Sequence, residues 1–298
     1  MIEPELPAKD FGILPANAGN APAADEPATA GGTVLLLDNG SLAPSATLGL
    51  RLLAGRLAQA IGETVEPVSL LHADGIPAAE LAGVPAEIFG PALERRLAQG
   101  QNRFVVIPLF LGPSQALDRF LPGRVASLTR RYPALRVVVA PPLYAAGDDR
   151  LARILQDRVL AVRPAPARVI VVDHGSPVPA VTAVRDALGR QLQALLGGGT
   201  RVGVASMERR PGAEYDFNEP LLETLLDQPE WRSGDIVVAR QFLLPGRHAG
   251  PGGDIERICL EAERRNPGLR LHLTAPLAGH PLLESILAER CLAYRPRS

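Results

Sequence analysis

Three stretches of the chain end in groups that ligate metals or take up protons near neutral pH. The first is R-V-I-V-V-D-H-G-S, Arg168–Ser176, where Val169–Asp173 reads as a buried parallel strand and His174-Gly175-Ser176 as the turn that ends it. The second is V-G-V-A-S-M-E, closing on Glu208, and the third is F-L-L-P-G-R-H, closing on His248. In an open parallel sheet, ligands bind beyond the carboxyl ends of the strands. His174, Glu208 and His248 follow neighbouring strands on this reading, so their side chains can converge. Two imidazoles and a carboxylate suit a borderline divalent metal such as iron, cobalt, nickel or zinc. They equally form a set of proton acceptors. Arg209, Arg210, Arg240 and Arg247 flank the same positions. Their planar forks favour a ligand bearing several carboxylates. The competing readings are a strand-end histidine that bonds nearby backbone and arginines that are simply solvated. His280 reads as a helix-start residue at the rim, His272 as a strand residue, and Asp254 as the cap of a helix from Ile255.

These groups need strands and helices to carry them. T-V-L-L-L-D-N-G-S, Thr33–Ser41, predicts a strand and turn, with a helix over Leu48–Ile61. Further strands are expected at Val65–Leu71, Phe104–Leu111 and Leu135–Ala140, and helices at Pro91–Ala98, Leu117–Tyr132 and Asp149–Ala161. Alternation of this kind argues for parallel α/β sheets with right-handed crossovers. The glycine-rich run Pro245–Gly253 reads as a mobile lid.

The pattern then repeats. T-V-L-L-L-D-N-G-S matches R-V-I-V-V-D-H-G-S, and V-V-I-P-L-F-L-G-P, Val105–Pro113, matches V-V-A-R-Q-F-L-L-P, Val237–Pro245. The expected division is a disordered tail over 1–32, one α/β domain over 33–163 and a second over 164–298, joined by the proline-rich Ala161–Ala167. Each copy is long enough to bury a core of its own. The scaffold residues recur while the polar tips change. Asn39 stands opposite His174, Gln115 opposite His248, and His72 opposite Glu208. The exchange suggests a working second half and a divergent first half; the competing reading is drift in loops.

Composition narrows the function. A formal net charge of -1 disfavours a general nucleic-acid surface. Lys9 is the only lysine, so the cations are arginines. Cys259 and Cys291 form no CxxC and are too few for a disulfide scaffold or a thiolate cage. No apolar run is long enough for a membrane span, no signal peptide is evident, and a cytoplasmic protein is expected. No GxGxxG or GxxxxGK[ST] follows a strand, which disfavours a nucleotide site.

V-D-H-G-S-P-V-P (Val172–Pro179), E-P-L-L (Glu219–Leu222), F-L-L-P-G-R-H (Phe242–His248) and A-P-L-A-G-H-P (Ala275–Pro281) together resemble the sirohydrochlorin chelatases. These are class II tetrapyrrole chelatases of the cobalamin and siroheme routes. The resemblance runs from Thr33 to about Ala293 and implies two tandem flavodoxin-like, chelatase-like domains. It implies a lyase of the cobaltochelatase or ferrochelatase type that inserts Co(II) or Fe(II) into sirohydrochlorin without ATP. The divalent metal is then a substrate, and no permanently bound cofactor is expected. The family's metal-binding histidines carry over to His174 and His248 and its acidic partner to Glu208, as catalytic and metal residues. Ser176, Arg209, Arg210, Arg240 and Arg247 are the expected substrate-binding residues. The first half, with Asn39 and Gln115, is expected to lack a metal site, and internal duplication suggests a monomer. A non-catalytic tetrapyrrole or metal carrier, a regulator built on a chelatase, and a chelatase for another modified tetrapyrrole remain open.

Overall fold

The computed structural model describes residues 32–294. The tail expected over residues 1–32 lies, but for Gly32, outside the described residues. The first half runs β1 (Thr33–Asp38), α1 (Pro44–Ile61), β2 (Val65–Ser69), α2 (Phe89–Ala98), β3 (Arg103–Pro108), α3 (Leu121–Arg131), β4 (Arg136–Val139) and α4 (Arg150–Val162). The second runs β5 (Arg168–Asp173), α5 (Pro179–Leu196), β6 (Arg201–Ser206), α6 (Leu222–Leu225), β7 (Gly234–Arg240), α7 (Asp254–Arg265), β8 (Leu269–Leu273) and α8 (Pro281–Tyr294). The strands form two parallel sheets, ordered β2-β1-β3-β4 and β6-β5-β7-β8. The expected tandem α/β architecture is therefore present. Helix α1 begins at Pro44 rather than near Leu48, because proline with its fixed φ suits the first helical turn. Pro179 opens α5 in the same way.

The layers run helix, sheet, helix, sheet, helix. On the outer face of the first sheet, Leu35, Leu37 and Val106 pack against Phe89 and Leu93 of α2 and Leu121 and Leu128 of α3. On the outer face of the second, Ile170, Val172 and Val238 pack against Leu222, Leu225, Ile255 and Cys259. Each half thus has an outer core of its own. The inner faces share a third core, which joins Val34, Leu36 and Ile107 to Val169, Val171 and Val237 through α1, α4, α5 and α8. The last helix of each half crosses over: α4 packs on α5 and β7, and α8 packs on α1 and β3.

Backbone bonds fix how the halves correspond. Leu70 and Leu71 N–H donate to the carbonyls of Asp38 and Asn39; Met207 and Glu208 N–H donate to those of Asp173 and His174. Leu71, not His72, is therefore the counterpart of Glu208. The polar residue suggested a gap that the strand ladder excludes. Where α1 and α5 meet the loop after the other half's third strand, bulk is exchanged. A Cβ on Gly112 would lie 2.7 Å from Val184 Cγ2, and one on Gly49 would lie 3.1 Å from Leu244 Cδ2.

Candidate functional site

β5 lies between β6 and β7, so the residues after these strands share one edge of the second sheet. His174 follows β5 and His248 lies in the loop after β7, and their rings stand edge to face with centroids 4.7 Å apart. Glu208 follows β6 and brings Oε1 to 3.5 Å from His174 Nε2. The sequence-predicted trio is thus assembled at one place. Gly175 makes the approach possible: its φ is +91°, and a Cβ there would lie 1.9 Å from the Glu208 carbonyl oxygen.

The two imidazoles are oriented alike. His174 Nδ1 lies 3.0 Å from the Gly175 carbonyl, and His248 Nδ1 lies 2.6 Å from Asp254 Oδ2. A proton on each Nδ1 leaves a lone pair on each Nε2. The backbone bond expected of a strand-end histidine is present, yet it occupies only the nitrogen that points away from Glu208. Burial alone would raise the Asp254 carboxyl, but the His248 hydrogen bond and the charges of His248, Arg257 and Arg247 outweigh it and hold the carboxyl low. Asp254 therefore stays an acceptor that aims His248. Its expected role as a helix cap is not what the structure shows. Gly253 is the N-cap, and Asp254 is the first helical residue, bonded to His248 and Arg257.

The site is open. The His174 and Glu208 side chains are 47% and 60% exposed. Among the described residues, no group of three or more His, Cys, Asp or Glu side chains is set to hold a metal. The expected three-ligand set is adjacent without being closed. An open pair of imidazoles suits a metal in transit more than a structural ion, whose ligand shell is closed.

The arginines divide. The Arg247 side chain is 75% exposed, with Nε 4.0 Å from Asp254 Oδ2, and Arg210 is also exposed. Arg209 is engaged, donating from Nε to Glu219 at 2.6 Å and pairing with Asp216 at 3.3 Å. Arg240 is half-buried and donates to the carbonyls of Thr274 and Ala249. Those bonds place Arg240 beneath the His248 loop. The Pro245–Gly253 run is accordingly no loose lid: Gly250 N–H bonds the Gly246 carbonyl, Ile255 N–H bonds the His248 carbonyl, and Ala249 and Gly250 are buried. Ser176 is a turn residue, its N–H bonded to Asn218 Oδ1 and its Oγ accepting from Val178 N–H.

His272 Nε2 bonds Asp235, and His280 Nε2 bonds Asp157 of α4 while its Nδ1 accepts from Leu282 N–H. His272 lies in β8, as the sequence suggested, and His280 lies just before α8. The sequence reading missed Asp254 as the partner of His248, Arg257 beside it, and the buried pair Arg185 and Asn218. Comparing the copies position by position would have exposed Arg185, since α1 carries Leu50 there.

A family model described as CbiX matches the chain twice, over residues 33–162 and 168–293. Among solved structures, SirB from Bacillus subtilis with Fe3+ is similar at a TM-score of 0.64 and 18% identity, over 87% of this chain and 94% of that one. The sirohydrochlorin chelatase SirB from Bacillus subtilis subspecies spizizenii, in complex with cobalt, gives a TM-score of 0.63 at 17% identity, over 87% and 92%. DR2241 from Deinococcus radiodurans, a multi-domain protein with structural similarity to chelatases, gives 0.54 at 16% identity, over 90% of this chain and 56% of that one. No curated protein matches the sequence. At these identities the structural likenesses speak for the fold.

Proposed function

The chain belongs to the CbiX family, and from that premise we propose that it inserts a divalent metal, cobalt or iron, into sirohydrochlorin without ATP, for cobalamin or siroheme synthesis. The observation that carries the reading is the pair of imidazoles, His174 and His248, with ring centroids 4.7 Å apart and each Nδ1 already engaged, in one half only. The other half has the amides Asn39 and Gln115 and the apolar Leu71 at the matching edge. Insertion requires the metal to be presented to the ring nitrogens and two pyrrole protons to leave. Neutral His174 and His248 hold the metal weakly or accept those protons, and Glu208 offsets charge. Asp254 stabilises the imidazolium that forms at His248. Arg247 and Arg210, exposed beside the histidines, meet the carboxylates of the macrocycle. The chain acts as a monomer, because each half already covers the inner face of the other.

The test is anaerobic incubation with sirohydrochlorin and Co(II), Fe(II) or Ni(II), followed by absorbance. His174→Ala and His248→Ala should each slow insertion by about 10²–10⁴-fold. Asn39→Ala and Gln115→Ala should cost far less, since an amide neither takes a proton at neutral pH nor ligates as imidazole does. Equal losses from amide and histidine variants would place the chemistry in both halves. Binding of sirohydrochlorin with no turnover in the wild type would select a carrier instead.

A further inference from the structure

Among the described residues Arg185 is the largest fully buried side chain, 2% exposed, and it lies in α5 beneath the His174 turn. Its Nη1 donates to Ser206 Oγ at 2.7 Å and to the Asn218 carbonyl at 2.8 Å; its Nη2 pairs with Asp186 at 2.8 Å. Ser206 Oγ in turn donates to Asp173 Oδ1 at 2.6 Å, on the residue before His174. Asn218, also buried, clasps the turn from the other side. Its Oδ1 accepts from Ser176 N–H at 2.9 Å and from Thr182 Oγ1 at 3.1 Å; its Nδ2 donates to the Ser176 carbonyl at 2.9 Å and the Tyr215 carbonyl at 3.0 Å.

The first half carries the corresponding turn without a fully buried arginine or an asparagine beneath it. Asp38, Ser69 and Thr47 recur there at the places of Asp173, Ser206 and Thr182, and all are buried. Leu50 takes the place of Arg185 and is itself buried, while the next residue, Arg51, is only half-buried and donates to the carbonyls of Leu81, Val84 and Pro85. The strand-end bond from Ser69 N–H runs to Glu87, and that from Ser206 N–H runs to Pro220, so Pro85 takes the place of Asn218. Taking a guanidinium out of water costs several kcal/mol before pairing offsets it, and an apolar residue of similar volume often does as well for stability. The leucine solution exists in the same molecule, on the same backbone, under a turn that carries Asn39. The arginine solution lies under the turn that carries His174.

We propose that Arg185, acting through Asn218 and Ser206, is a positioning residue that fixes the His174–Ser176 turn and so aims His174 Nε2 at Glu208 and His248. This rests on the chelatase reading for its consequence, though not for its geometry. The experiment uses the full chain as wild type, Arg185→Leu, Arg185→Lys, Asn218→Ala, His174→Ala and the Arg185→Leu/His174→Ala double variant. Arg185→Leu should stay folded, with a melting temperature within a few degrees of wild type. Its affinity for Co(II) alone and its kcat for insertion should each fall by about 10–100-fold, the range for losing an outer partner of a ligating group. Arg185→Lys should recover part of the loss. The double variant should be no worse than His174→Ala, because Arg185 acts through that side chain. Hydrogen exchange at the Ser176 amide should quicken in Arg185→Leu and Asn218→Ala, with no change at Leu71. Additive losses in the double variant, an unfolded Arg185→Leu, or wild-type Co(II) affinity and exchange in Arg185→Leu would each overturn the proposal. A wild type that neither binds nor inserts Co(II) removes the chelatase reading, and the Ser176 exchange then still decides the positioning role.

Discussion

Replacing Asp38 with asparagine should stabilise the protein above neutral pH and flatten its stability profile in acid. Asp38 ends β1 and is buried, with one carboxylate oxygen lacking a hydrogen-bond partner. Burial pushes its carboxyl up to about 6, more than the hydrogen bonds from Ser69 and Gly40 pull it down. Unfolded, the same group titrates near ~3.9. The folded state therefore binds this proton more tightly than the unfolded state. The contribution to stability is full below about pH 4 and is lost as pH rises through about 6. A difference of about two pKa values corresponds to ~3 kcal/mol, an order-of-magnitude figure for a group this buried. Asparagine keeps the shape and the acceptor oxygen and carries no charge to desolvate. Urea unfolding of wild type and Asp38→Asn, at intervals from pH 4 to pH 8, gives the comparison. The variant should gain up to ~3 kcal/mol at pH 8 and little at pH 4. A gain that is the same at both ends, or a loss at pH 8, would refute the argument. Asp173 occupies the matching place, and burial raises its carboxyl too, but Ser206, Arg185 and His174 pull against the shift.

Arg247→Ala and Arg210→Ala should raise the KM for sirohydrochlorin by roughly 10–100-fold with less change in kcat, since a charge-assisted hydrogen bond is worth about 1.5–3 kcal/mol. Steady-state kinetics checks this, and unchanged KM in both variants and their double would reject it; Arg240→Ala should instead loosen the His248 loop and lower the melting temperature. Residues 164–298 expressed alone should fail to unfold cooperatively, because α4 buries Leu151, Ile154, Leu155 and Val159 in the shared core. At about 1.5–3 kcal/mol per side chain that burial matches the stability of a typical domain. Calorimetry on the fragment, alone and with residues 33–163 added, is the measurement.

The architecture was legible because its signals are local. Apolar β-branched runs and the repeated strand-turn strings specify elements without knowledge of their neighbours, although the apolar spacing marks α1 only from Leu48 and the helix starts at Pro44. The meeting of His174, Glu208 and His248 was legible for a similar reason, since parallel strands place their ends side by side. What the sequence hid depends on long-range geometry. The crossing of α4 and α8 leaves no mark in either helix, because an apolar stripe does not say which sheet it faces. Asp254 looked like a cap because an acid before a helical run usually is one. Its pairing with His248 follows from how the Gly250–Gly253 turn folds back. His72 is polar as Glu208 is, but strand register sets Leu71 opposite Glu208. Arg209 and Arg240 looked like ligand-binding cations, yet their partners Glu219, Thr274 and Ala249 reach them only in the folded chain.

The tandem arrangement explains why two halves with one fold can carry different chemistry. In a two-fold dimer of identical chains, both copies of a contact hold the same residue pair, and any change appears twice. Here the two contacts are separate. One pairs Gly49 with Leu244 and the other pairs Val184 with Gly112, so that bulk sits on the loop in the first and on the helix in the second. Each contact stays filled, which a cavity or an overlap at either would not allow cheaply. The same independence extends to the polar groups. Leu50 is buried where Arg185 lies in the other half, and Pro85 stands exposed where Asn218 is buried, while Arg185 and Asn218 grip the His174 turn. The first half is retained for what a single half lacks. Its α4 closes the core beneath β7, and its Ser45 hydroxyl holds the Pro245 carbonyl at 3.2 Å, in the loop that carries His248. The first half, with Asn39 and Gln115 in place of imidazoles, therefore still supplies the wall against which the His174–His248 edge is built.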